Sequence, residues 1–479
     1  MLTSPAVVWF RRDLRLHDNP ALQQALNAHQ KIILVYISEN EELAPWTSGA
    51  ASNWWLHQSL QSLISDLAET GAHLTLLQGP AEAALHAICQ QHNISHVYWN
   101  RLYDPETVTR DKAVKASLQA AGVQVQSFGG YLLREPWETL NKQGEPYRVY
   151  TPFSKNYFVL PPVETPASTP VNLQNRTLTC AGSALNDFHL LPGKDWGHRL
   201  ANHWSPGEKP ALSRLQEFLT SAVFDYKDAR DIPAVDGISR MSAHLHFGEI
   251  SSRQIWHAVQ QQGVAQSKED AVFPFLRQLI WRDFAHHLLF HFPHTTHSPF
   301  LPMFEKFPWQ QNKEFLQAWQ RGRTGIPLVD AAMQELWLTG WMHNRTRMLV
   351  ASLLTKNGLI HWIEGARWFW DTLVDANLAN NTMGWQWTAG CGVDAAPYFR
   401  IFSPTRQGER FDVEGRYVKR WVPELAEIPN RYIHEPWRAG ESVLDDAGLD
   451  RNSIYRQPIV DLSTTRTRAL ALYKELRST

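Results

Sequence analysis

Five short runs rich in β-branched and aromatic residues fill the first 130 positions, and no comparable run follows residue 200. They are AVVWF from Ala6, KIILVYI from Lys31, HLTLLQ from His73, HVYW from His96 and VQVQSF from Val123. Between them, 53–69 and 81–93 place apolar residues at helical spacing. Strands that alternate with crossover helices call for a parallel sheet covered on both faces, so 1–130 is expected to be an α/β domain with a five-stranded parallel sheet. Residues 131–200, which include LPPVETPASTP, are rich in Pro, Thr, Ser and Asn and read as a long connector. Over 201–479 helical periodicity takes over, as in 212–222, 267–291, 312–321, 328–339 and 342–356. The second domain is therefore expected to be large and all-α. A chain of 479 residues exceeds one ordinary core, which agrees with two domains. Residues 1–130 contain no G-x-G-x-x-G turn and no P-loop, so nucleotide sites of those kinds are not expected there.

Charge and cysteine usage narrow the function classes. The formal net charge of −1 excludes a generally basic nucleic-acid binder, and residues 1–130 hold 8 Lys+Arg against 11 Asp+Glu. Any DNA-binding surface must come from local arrangement. Cys89, Cys180 and Cys391 lie far apart and form no disulfide framework, zinc pattern or iron–sulfur cluster motif, so no metal is expected. The start, MLTSPAVVWFRRD, has no basic and apolar leader, and no apolar run is long enough to span a bilayer. A cytoplasmic monomer is expected.

Residues 375–404, DANLANNTMGWQWTAGCGVDAAPYFRIFSP, break the helical pattern of aliphatic residues. Asp375, Asn377 and Asn381 offer carboxylate and amide groups, Gly384 and Gly390 permit close backbone approach, and Trp385 and Trp387 supply large rings. Amides along the edge of a heteroaromatic system and indoles on its face suit a flat ligand. A tight turn with capping amides accounts for any one of these residues, but not for paired tryptophans beside a polar, glycine-rich run.

WFRRDLRLHDNPAL (9–22), TGIPLVDAAMQEL (324–336), GWMHNRTRM (340–348) and GWQWTAGCGVDAAPYFRIFSP (384–404) resemble signatures of the photolyase and cryptochrome flavoprotein family. WWLHQSL (54–60), YRVYTPF (147–153) and the ending YRQPIVDLSTTRTRALALY most resemble its class III cyclobutane-pyrimidine-dimer photolyases. The resemblance implies an FAD cofactor in the helical domain, UV-damaged DNA as partner, and light-driven electron transfer that splits a flipped-out dimer.

Carried over residue by residue, Tyr226, Ser239 and Ser242 would hold the FAD pyrophosphate, Arg347 and Asp375 would pair beside the isoalloxazine, Asn377 would face N3, and Asn381 would approach N5. Trp281, Arg282 and Asn344 complete the implied cofactor set. Trp281 and Trp387 match the dimer-stacking pair, Asn344 and Met348 the dimer contacts, and Gln278 the position facing the dimer carbonyls. Arg230 and Arg345 are candidate phosphate contacts, against the plain alternative of intramolecular ion pairs. Trp385, Trp362 and Trp309 match the proximal, middle and distal members of an electron-transfer wire. Spacing supports part of this independently: Asn344, Arg347 and Met348 share one helix face, as do Gln278, Trp281 and Arg282. Methenyltetrahydrofolate is a candidate antenna, with Trp54, Trp55 and Glu106 as candidate pocket residues.

Three positions depart from the family pattern. Gln278 stands where a glutamate is usual, Asn377 where an aspartate is usual, and Ile238 where a threonine is usual. The runner-up function is a cryptochrome-type photoreceptor, ranked second because little tail follows residue 470. Repair of the (6-4) photoproduct ranks lower, because its enzymes carry histidines where this chain has Asn344 and Met348.

Overall fold

The computed structural model describes residues 2–39, 45–170, 173–395, 397–398 and 400–478, so positions 396 and 399 of the 375–404 stretch lie outside the described residues. Strands β1 (Ala6–Phe10), β2 (Ile32–Ser38), β3 (Leu74–Gln78), β4 (His96–Asn100) and β5 (Gln124–Phe128) form one parallel sheet ordered β3-β2-β1-β4-β5. All five expected strands and their parallel pairing are present. β1 lies at the centre, with Val8 in register with Leu34 and Tyr98. Its side chains alternate between two cores, as the two-residue period of a strand requires. Ala6, Val8 and Phe10 pack with Leu22 and Leu26 of the Pro20–Ala28 helix and Leu60, Leu63 and Leu67 of the Ala50–Glu69 helix. Val7 and Trp9 pack with Leu85 and Ile88 of the Ala81–Gln91 helix and Val114 and Leu118 of the Pro105–Ala120 helix. Cover on both faces explains why AVVWF has no polar residue.

Strand order reverses at β1 and β4, the place where open α/β sheets take ligands beyond the strand ends. Here the chain's own polar groups fill that place. Asn100 Nδ2 donates to Asp13 Oδ2 (2.6 Å) and Asn19 Oδ1 (2.8 Å), and Arg11 pairs with Asp111 at 2.5 Å.

Chain contacts define two compact units, Met1–Phe224 with Ser239–Pro293 and Val374–Ala379, and Asp225–Ile238 with His294–Leu373 and Asn380–Thr479. The 131–200 stretch contributes the Tyr150–Tyr157 helix, a 3-10 turn at Leu185–Phe188 and the Lys194–Ala201 helix to the first unit. Pro152 sits in the first turn of the Tyr150–Tyr157 helix, where a missing N–H breaks no helical bond. That helix buries Tyr150, Phe153 and Tyr157 on one face, and Phe153 lies 5.0 Å from Phe284 of the Glu269–His291 helix. Each buried ring is worth on the order of 2 kcal/mol of transfer free energy, enough to order a helix too short to persist alone.

In the second unit the family-like signatures have local structural reasons. Asp330 accepts from the Thr324 N–H (2.8 Å), the Thr324 hydroxyl (2.7 Å) and the Gly325 N–H (2.9 Å), which seats the Pro327–Thr339 helix. His343 caps the Asn344–Ser352 helix by accepting from Arg345 N–H (3.1 Å), and His361 caps the Trp362–Thr372 helix by accepting from Ile363 N–H (3.1 Å). Among the described residues, no helix is long and apolar enough to cross a membrane.

Candidate functional site

The Glu269–His291 helix carries three of the expected residues in the first unit. Gln278 and Trp281 are half-exposed, whereas Arg282 is buried. The Arg282 guanidinium donates to the Tyr131 carbonyl (2.8 Å) and Ser252 Oγ (3.2 Å) and lies 4.2 Å from the Tyr131 ring centroid. Trp281 stacks face to face on Tyr150, with centroids 3.4 Å apart and planes 6° from parallel. The Gln278 amide donates back to the Pro274 carbonyl at 3.3 Å.

Asn377 belongs to a buried polar cluster of the same unit. Its Nδ2 reaches Tyr131 Oη (3.1 Å) and His286 Nε2 (3.3 Å). His286 Nδ1 lies 2.8 Å from the Arg282 carbonyl, which can only accept, so Nδ1 carries the proton and Nε2 accepts from Asn377. Burial and the neighbouring Arg282 hold His286 well below its ordinary range, which keeps it neutral. Ser239 Oγ accepts from Met241 N–H (3.4 Å), and Ser242 is exposed at the first position of the Ser242–Phe247 helix. Asp375 also lies in the first unit, and Arg347 in the second.

The second unit holds the remaining candidates. On the Asn344–Ser352 helix, Asn344, Arg347 and Met348 share an open face, while Thr346, Leu349 and Val350 are buried. Arg347 Nε donates to the Met342 carbonyl at 2.7 Å. Arg345 instead pairs with Asp231 at 2.5 Å and covers Phe411 at 4.3 Å, so its guanidinium is already engaged within the protein. Arg230 lies 5.9 Å from the ring of buried Tyr226, whose hydroxyl burial pushes up to about 12. A Cβ at Gly237 would come within 2.3 Å of Ala229 Cβ, so glycine permits this loop to close on the short helix that carries Tyr226.

The first half of the 375–404 stretch carries a helix, Leu378–Ala389, ended by Gly390 at φ +84°. Asn380, Asn381, Gly384 and Trp387 form its open face, while Trp385, Gln386, Thr388 and Ala389 are buried. Asn381 Nδ2 donates to the Ala366 carbonyl (2.9 Å), and a Cβ at Gly384 would meet nothing within 4 Å. Gln386 fixes the helix by donating to the carbonyls of Thr295 (2.7 Å) and Ser298 (2.9 Å) and accepting from Phe300 N–H (2.8 Å). Cys391 is buried, and burial raises its thiol to about 12, which makes it unreactive at neutral pH.

Of the three tryptophans expected to form a wire, Trp385 (3% exposed) and Trp362 (1% exposed) are buried and Trp309 is half-exposed. His361 bridges the outer pair, its ring 5.1 Å from Trp309 and 5.6 Å from Trp362. Burial lowers the His361 pKa, so the bridge is neutral. Trp385 rests on Gly365, one helical turn beyond Trp362; a Cβ there would lie 2.1–2.6 Å from its six-membered ring. Phe369 and Trp319 also contact Trp385, at 5.0 and 6.0 Å. Neither indole N–H of Trp362 nor Trp385 meets an acceptor among the described residues. Sequence reasoning missed His361 and Gly365, although a glycine within the aromatic helix WIEGARWFW was a visible signal.

Trp54 and Trp55 are buried in the first unit. Trp55 stacks on Phe247, sets its edge on Trp54, Trp204 and His244, and donates its N–H to Glu249 at 3.0 Å. Ser59 and His244 also bond Glu249, so the WWLHQSL segment is an internal tie. Glu106 is half-buried in the first turn of the Pro105–Ala120 helix.

The fold and these residues define a class, an α/β domain and a helical part with amide-bearing open helix faces and two buried tryptophans followed by a half-exposed one. Residues 6–168 match the family model described as DNA photolyase, and 275–475 match the one described as FAD binding domain of DNA photolyase. The chain is 43% identical over 478 residues to a deoxyribodipyrimidine photo-lyase of Agrobacterium fabrum, covering 100% of this chain and 99% of that one. It is 37% identical to cryptochrome-1 of Arabidopsis thaliana, across 97% of this chain and 69% of that protein. The structure of a bacterial class III photolyase from Agrobacterium tumefaciens superposes with a TM-score of 0.95 at 43% identity, covering 100% of this chain and 99% of that one. The chain belongs to the photolyase and cryptochrome family.

Proposed function

We propose that this protein is a light-driven lyase that splits cyclobutane pyrimidine dimers in UV-damaged DNA. The observation that carries the reading is Trp281, an indole held half-exposed beside Gln278 in a chain alike from end to end to a photo-lyase. A damaged pair stacks poorly and costs less to extrude, so an indole can receive the flipped dimer by stacking.

The residues present fit an FAD. Tyr226 stays protonated at neutral pH and can donate to a phosphate, with Ser239 and Ser242 as further hydroxyl donors. Asn381, its amide nitrogen held by Ala366, keeps a carbonyl oxygen able to accept from a protonated flavin N5. Arg347 and Asp375 are each proposed as a charged group toward the ring. Asn377 and the neutral His286 place no carboxylate near the proposed N3 edge, which favours a flavin that carries negative charge. The chemistry that bound, reduced FAD supplies is one electron lent to the dimer under light and then recovered. Two ring carbon–carbon bonds break, the pyrimidine double bonds reform, and no protein nucleophile takes part.

Trp385, Trp362 and Trp309 serve reactivation of oxidised cofactor. An oxidised buried indole with no acceptor for its N–H keeps its proton, so the hole stays mobile until it reaches half-exposed Trp309, where water can take the proton. Arg230 is the better of the two proposed phosphate contacts, since Arg345 is paired with Asp231. A methenyltetrahydrofolate antenna is proposed from the class III likeness; because Trp54 and Trp55 are buried, other side chains would have to line its ring faces. We propose a cytoplasmic monomer; size-exclusion chromatography with light scattering checks the monomer, and cell fractionation checks the compartment.

Illumination of reduced protein with a dimer-containing oligonucleotide tests the reading. Restored thymines are expected; intact flavin photoreduction without restored thymines would move the assignment to a photoreceptor. That second reading has the likeness to a plant cryptochrome in its favour.

A further inference from the structure

Trp281 is not a free ring. Tyr150, 3% exposed, covers one of its faces at 3.4 Å, and Phe284 sets an edge 5.8 Å from both rings. The Tyr150 hydroxyl donates to the Arg277 carbonyl at 3.2 Å, on the helix that carries Trp281. The far end of the Tyr150–Tyr157 helix is tied to that same helix, where Tyr157 donates to Asp283 at 2.9 Å. Both ends of a short helix therefore hold the tyrosine ring against the indole, and any ligand stacking on Trp281 must use its other face.

One turn before Trp281, Arg277 is exposed. It makes no ion pair among the described residues; its side chain hydrogen-bonds the Tyr150 hydroxyl, with the guanidinium carbon 5.8 Å from the Tyr150 ring. The neighbouring Gln278 is neutral, so no carboxylate at that position offsets the positive charge. A cation beside a single-faced aromatic platform matches the two elements by which proteins hold an extruded stretch of nucleic acid, stacking for the base and a charge for its phosphate.

We infer that Tyr150 and Arg277 extend the lesion platform around Trp281, Tyr150 as a positioning residue that fixes the indole plane and Arg277 as a contact to a phosphate next to the flipped dimer. The inference rests on the photolyase reading. Prior fixation matters because stacking on a ring that must first be ordered loses part of its gain to side-chain entropy.

The test is dark binding of full-length, flavin-loaded protein to matched dimer-containing and undamaged duplexes, read by fluorescence anisotropy between about 50 and 200 mM salt. Tyr150→Leu is expected to lower the preference for dimer DNA by roughly 5- to 100-fold. Tyr150→Phe, which keeps the ring, should retain most of that preference. If the leucine variant does not fold, Tyr150→Met supplies a flexible side chain that fills irregular gaps without a stacking plane. Arg277→Gln should weaken binding to both duplexes alike and reduce the steepness of log affinity against log salt by about 0.9, one phosphate's share. Full dimer preference in the leucine or methionine variant, equal loss in the phenylalanine variant, or an unchanged salt slope in Arg277→Gln overturns the inference. Absence of any dimer preference in the unmodified protein overturns the photolyase reading itself.

Discussion

A single methyl group at position 365 sets two preferences of the chain against each other. Replacing a helical glycine with alanine is worth about 1 kcal/mol in helix propensity. At Gly365 the added Cβ would lie 2.1 Å from Trp385 Cη2, a distance no side chain tolerates, and overpacking of that kind costs about 1–3 kcal/mol or more. The clash is expected to win, so Gly365→Ala should lower the melting temperature and displace Trp385. Blue-light reduction of oxidised flavin should slow with it and collapse in Trp385→Phe; a Gly365→Ala protein that melts no lower than the parent would remove the packing argument, and normal kinetics in Trp385→Phe would remove the wire. Gln278 gives the second residue-scale prediction. Its amide can donate a hydrogen bond but cannot supply a proton or a negative charge. Gln278→Glu should raise repair yield and give it a pH dependence that the parent lacks between about pH 4 and 7, where a partly buried glutamate titrates. Equal yields for both proteins across that range would show that the position does not limit repair.

At the scale of elements, what the sequence made legible was periodicity. Continuous apolar runs mark β1 and β2 because their strands are covered on both faces, and β3, β4 and β5 follow from the same regular alternation with helices. The Tyr150–Tyr157 helix was not legible, because Pro152 and the surrounding Pro/Thr/Ser composition read as connector, and what stabilises it is contact with a helix more than 110 residues later. His361 as a bridge between two tryptophans was hidden for the same reason, since Trp309 is distant in sequence. Candidates sharing a helix face were legible by spacing, as Asn344, Arg347 and Met348 illustrate, whereas the engagement of Arg282 and Arg345 with protein partners depends on tertiary neighbours. Asp283 allows the tie between the two helices to be tested. It accepts from Tyr157 (2.9 Å), Leu133 N–H (3.1 Å) and Arg134 N–H (3.0 Å), and burial raises it from an ordinary 3.8 to about 6. A carboxyl whose folded pKa is raised binds more protons folded than unfolded, so its contribution is fully present below about pH 4 and is lost as pH rises through about 6. A rise of that size corresponds to about 3 kcal/mol at most. Asparagine keeps an acceptor oxygen for all three donors and cannot ionise. Asp283→Asn should therefore gain stability relative to the parent between pH 4 and 7, by up to about 3 kcal/mol in urea unfolding. A difference between the two proteins that does not change with pH would show that the carboxyl is not the titrating group.

For the whole molecule, cofactor and stability are linked quantities. Nothing in the net charge of −1 draws a dinucleotide to this chain, so FAD affinity has to come from the specific groups proposed to hold it, and whatever binds the folded state alone stabilises it by mass action. Each tenfold rise in free FAD above its dissociation constant should add about 1.4 kcal/mol, reaching about 4 kcal/mol at a thousand-fold excess. Protein stripped of flavin should therefore melt lower and regain its melting temperature in proportion to the logarithm of added FAD. Riboflavin separates the two halves of the proposed site. It offers the ring to Asn381 and Asn377 but no pyrophosphate to Tyr226, Ser239 and Ser242. If those hydroxyls carry their proposed share, riboflavin should give only a small part of the shift at equal concentration, and Tyr226→Phe should bring the FAD response down towards it. Equal shifts from riboflavin and FAD would locate the binding energy in the ring alone and withdraw the pyrophosphate role from all three residues.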